Sequence, residues 1–83
     1  MARPALQQWK TGDAVRITSG RRTAPGVVKR ASPNGALLVL EFDAALAGHI
    51  GIMPVRLGSH GMYQSLVNDA EVVLKPPPPL SRL

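Results

Sequence analysis

Two histidines, five carboxylates and ten lysines and arginines are the side chains of this 83-residue chain that bring acid–base or charged chemistry. A metal or proton-transfer centre needs several such groups converging on one point. His49 and His60 stand eleven residues apart with no acid at a ligand spacing, so both are expected in surface loops. Asp13, Glu41, Asp43, Asp69 and Glu71 fall at turns and strand ends, where turn and edge roles account for them. Asp13 is expected to organise the turn before its strand. Ser59 and Ser65 have no nucleophile-elbow setting. Gly48, Gly51, Gly58 and Gly61 form no phosphate-cradling motif, and instead suggest a mobile central loop. Cysteine is absent, which excludes disulfides and thiolate metal sites. The expectation is a non-enzymatic chain with no catalytic residue, no metal and no cofactor.

The cations carry more information. The formal net charge is +5, and basic residues near phosphates release counterions on binding. Arg16 is expected to point out from a strand, Arg21 and Arg22 to occupy the loop after it, and Lys29 and Arg30 to end the next strand. Neighbouring strands would place all five on one surface, facing an RNA or DNA backbone. No aromatic residue lies among them, and Trp9 and Tyr63 are the only candidates for base stacking. The contact so implied is phosphate-dominated and indifferent to sequence. A charge of this size also serves solubility alone.

The elements that position these residues are short strands. Gly12-Asp13 opens the first, in which Val15 and Ile17 alternate with Arg16 and Thr18 at a period of two. Residues 21–25 read as a loop, punctuated by Pro25-Gly26. Gly26 to Ala31 reads as a second strand, bent because Val27 and Val28 point to opposite faces. Ser32-Pro33-Asn34-Gly35 is a turn and predicts a hairpin. Ala36 to Asp43 is the most apolar strand, with Leu37 and Val39 on one face and Leu38, Leu40 and Phe42 on the other. Both of its faces therefore need cover. Ala44 to Gly48 reads as a loop or helical turn. His49 to Leu57 reads as a strand broken at Pro54, Met62 to Val67 as a strand or helical turn, and Glu71 to Lys75 as the closing strand.

This order resembles the SH3-like small barrels. Gly12-Asp13-Ala14-Val15-Arg16-Ile17 and Gly26-Val27-Val28 are similar to the opening of KOW-type domains, which bind RNA or protein around the loop between. The same opening, with Phe42-Asp43 and the Glu71-Val72 closure, resembles the electron-transport accessory barrels. A narrower resemblance is to the type II dihydrofolate reductases, in Gly12 to Arg16, Ser19-Gly20 and the stretch Ile50-Gly51-Ile52-Met53-Pro54-Val55. Where that family uses Gln and Tyr to hold its ligands, this chain has Gly51 and Met53, which implies a degenerate relative at most. The fold expected is all-β, an SH3-like five-stranded small barrel with a long variable loop before the last strands. Its bounds are residues 10–75, after a flexible arm at 1–9, with Trp9 as a core lid, and before a polyproline tail at 76–83.

A second functional reading rests on apolar excess. Leu38, Leu40, Met53, Leu57, Met62 and Tyr63 exceed what so small a barrel is expected to bury, and exposed contiguous apolar surface marks an interface. They predict a homo-oligomer or a protein partner. No apolar run reaches the length of a membrane span, and no apolar leader follows Met1, so the expected location is the cytoplasm.

Overall fold

The computed structural model describes residues 9–77. The expected arm at residues 1–8 and the tail beyond residue 77 lie outside the described residues. Six strands close into one antiparallel barrel: β1 (Ala14–Ser19), β2 (Arg22–Ala31), β3 (Leu37–Leu46), β4 (His49–Leu57), β5 (Tyr63–Ser65) and β6 (Glu71–Lys75). A single 3₁₀ turn, Ser59–Gly61, joins β4 to β5. Closure comes from β6 pairing with β1, at Arg16 with Lys75 and Thr18 with Val73. The class matches the all-β small barrel expected, but there are six strands rather than five. β4 has the bounds expected of it, and the expected variable region also holds the end of β3 and all of β5.

Alternation builds the core. Val15 and Ile17 of β1, Ala24 and Val28 of β2, Leu38, Leu40, Phe42 and Leu46 of β3, Met53 and Val55 of β4, Tyr63 of β5 and Val72 of β6 are all buried. Each large member stabilises the fold by roughly 1.5–3 kcal/mol relative to exposure. Trp9 belongs to this core at 5% exposure, as expected of a core lid. Gly26 continues the inward stripe of β2 because no side chain fits there. A Cβ on it would stand 2.6 Å from the Glu41 carbonyl oxygen and 2.7 Å from Ile17 Cδ1.

Three local readings change. Residues 22–25 form the start of β2 rather than a loop, with Arg22 opposite Ser19 and Pro25 opposite Arg16. Proline is tolerated because alternate residues aim their N–H groups the same way. The Val28 N–H bonds the Asp13 carbonyl on the β1 side, so position 25 faces the other way, where pairing with β3 starts only at Gly26. Ala44 to Gly48 is neither loop nor helix. β3 runs on to Leu46, and Ala47 and Gly48, both at positive φ (52° and 81°), make the two-residue turn into β4. β4 is unbroken at Pro54, which pairs with Val39 and accepts a hydrogen bond from the Leu66 N–H at 2.9 Å.

Candidate functional site

The turns are held by short polar side chains. Asp13 Oδ2 accepts the Lys10 N–H at 2.8 Å, the organising role expected of it. Asn34 Oδ1 accepts from Ser32 Oγ and the Ala36 N–H, and the Tyr63 hydroxyl donates to the Gly35 carbonyl at 2.8 Å. Burial pushes the Tyr63 phenol above its ordinary value.

One polar pairing escapes sequence reading. His49 Nε2 lies 2.8 Å from Ser65 Oγ, across sixteen residues. Ser65 is fully buried, and its oxygen accepts the Val67 and Asn68 N–H groups. The same oxygen shares one further hydrogen bond with the His49 ring. A serine beside a histidine is the first requirement of nucleophilic catalysis. Here the hydroxyl is enclosed and committed to the turn, so no substrate carbonyl reaches it. With Asn68 Nδ2 donating to the Ala47 carbonyl at 2.8 Å, the pair braces the β5–β6 turn against the β3–β4 turn. Among the described residues no group of three or more His, Asp or Glu is placed to hold a metal. No helix among them is long and apolar enough to cross a membrane.

The five predicted cations fall into two sets. Arg21 and Arg22 are exposed at the β1–β2 turn. Arg22 pairs with Ser19, three residues from Arg16, or about 10 Å along the strand. Lys29 and Arg30 lie toward the other end of β2, seven and eight residues from Arg22, roughly 23–26 Å of strand. A bulge between Val28 and Arg30 turns them onto the β2–β3 side. Lys29 is spent on Glu41, at 3.5 Å, the one ion pair among the described residues. Arg16 gains a neighbour the sequence does not reveal, Lys75 of β6.

The expected apolar interface is corrected residue by residue. Leu38, Leu40, Met53 and Tyr63 are 0–5% exposed and fill the core, Leu57 packs against it, and Met62 is half-buried. A closed six-strand barrel encloses more side chains than a five-strand one. The uncovered apolar surface is the outer face of β2, β3 and β4, built by register. Arg30, Val39 and Pro54 are direct partners, and the Leu66 bond to Pro54 extends that row to the turn after β5. On one side lies the row Val27, Glu41, Ile52, and on the other Leu37 beside Arg56. Leu37 is 51% exposed, Leu66 50%, Ile52 44% and Val27 41%. A groove of about 320 Å³ runs between Arg30, Leu37, Val39, Pro54 and Leu66. A depression of about 410 Å³ continues the face at the β3 bulge, walled by Val27, Phe42 and Gly51.

No protein-family model, no curated protein and no solved structure matches this chain. The six-stranded, closed, all-antiparallel barrel is compatible with an SH3-like small barrel.

Proposed function

We propose that this barrel is a non-enzymatic binding module that docks protein through the outer face of β2, β3 and β4, and that its occupant is a second copy of the chain. The observation that carries the reading is the register that sets Val27, Leu37, Val39, Ile52, Pro54 and Leu66 side by side on one face. Contiguous exposed apolar surface on so small a protein marks an interface. The charges fit self-docking. Glu41 is already neutralised by Lys29, and Arg30 and Arg56 stand at the margins. A two-fold axis parallel to the strands reverses the row that runs from Arg30 to Leu66. Each Arg30 then lies over Leu66 of the other copy rather than over its own counterpart, and its stem adds apolar contact while its head stays wet.

Sedimentation velocity over a hundredfold concentration range tests this. The expected result is a dimer that Leu37→Lys converts to monomer, with the melting temperature of the diluted protein unchanged because Leu37 is half exposed. A strict monomer at the highest concentration contradicts it.

A further inference from the structure

We infer that the opposite side of the barrel, the outer face of β6, β1 and the start of β2, is a phosphate-binding surface for the backbone of a nucleic acid duplex, with Arg16 and Lys75 at its centre. This reading is independent of the docking face. Arg16 and Lys75 are direct partners across β1 and β6. Both belong to the outward stripe, since Val15, Ile17 and Val72 point in. Cations directly opposite on a sheet repel, at side-chain separations of about 5 Å. Neither has an acidic partner among the described residues, where the one ion pair joins Lys29 to Glu41. Such a pairing costs stability in the free protein and is offset when an anion sits between the two groups.

The surroundings name the anion. Arg21 and Arg22 stand exposed at the turn about 10 Å further along β1, Arg22 on the stripe of Ala24 and Gly26 and so at the barrel rim, where they add to the positive field of this end. Between them and Arg16 stand the Thr18 and Thr23 hydroxyls, 3.0 Å apart and open to solvent. Glu71, exposed at this end of the sheet, is the acid that bounds the cationic track, and its backbone carbonyl accepts from Ser19 Oγ. Two cations at one point with more at the next spacing suit a chain of phosphates better than a single carboxylate. Recognition of single strands relies on exposed aromatic platforms. Trp9, Phe42 and Tyr63 are all at most 5% exposed, so a duplex read by its backbone is the form that fits.

Fluorescence anisotropy with a labelled duplex of about 20 base pairs is the test. Wild-type protein is expected to bind at about 50 mM salt, with log K falling against log salt at a slope near −3 to −4 for four cations. The Arg16→Gln, Lys75→Gln double variant is expected to lose at least about tenfold in affinity and about two units of slope. Its melting temperature should not fall, which separates the loss from misfolding. Lys29→Gln with Arg30→Gln should leave binding within about twofold. Absence of wild-type binding at that salt overturns the inference. So does an equal loss in the Lys29 and Arg30 variant, and so does displacement of the duplex by poly-glutamate at equal charge, which would indicate an acidic protein ligand instead.

Discussion

Tyr63 links the far end of the barrel to the β2–β3 turn through one buried hydrogen bond, and its titration gives a signed prediction. Its hydroxyl donates to the Gly35 carbonyl, and desolvation raises its pKa above about 10. The unfolded phenol therefore ionises first. Stability from this group is fully present below pH 10 and is lost as pH rises through the folded value. Tyr63→Phe should cost about 1 kcal/mol at pH 8 and should show a smaller decline between about pH 8 and pH 11 than wild type. Urea titrations followed by Trp9 fluorescence measure both. An equal alkaline decline in the variant would contradict the assignment. At this scale the sequence was informative about turn residues such as Asp13 and Asn34, whose partners lie within a few positions. It was blind to His49 with Ser65 and to Arg16 with Lys75, because those contacts exist only once distant strands have paired.

Among the elements, β2 carries the tightest packing constraint. Gly26 stands where a Cβ would meet the Glu41 backbone and Ile17 Cδ1. The backbone cannot yield as a flexible side chain would, so Gly26→Ala should destabilise by roughly 1–3 kcal/mol. That corresponds to a drop in melting temperature of about 4–8 °C per kcal/mol in a domain this size. Calorimetry showing an unchanged melting temperature would refute the close approach. Strand alternation was legible where one face is polar, as in β1. In β3 both stripes are apolar, and nothing in the pattern Leu37-Leu38-Val39-Leu40 says which stripe points in. Register decides it, sending Leu38 and Leu40 inward and leaving Leu37 and Val39 outside. The need for cover on both faces of β3 was readable; the residues left uncovered were not. The β3–β4 turn was missed because Ala47 occupies a positive φ that sequence patterns reserve for Gly or Asn.

For the whole molecule, closure of the barrel by β6 sorts the surface into two regions. One is apolar and spans β2 to β4; the other is cationic and spans β6, β1 and the β1–β2 turn. The barrel closes on itself and leaves only short unpaired stretches such as the start of β2, so the docking proposed here uses side chains on a face. The most direct measurement of the docking claim is an NMR dilution series on backbone amides. Val27, Leu37, Val39, Ile52 and Leu66 are expected to shift together with one dissociation constant, while Arg16, Thr18 and Val73 stay still. Shifts confined to the β1 and β6 side, or none at any concentration, would contradict it.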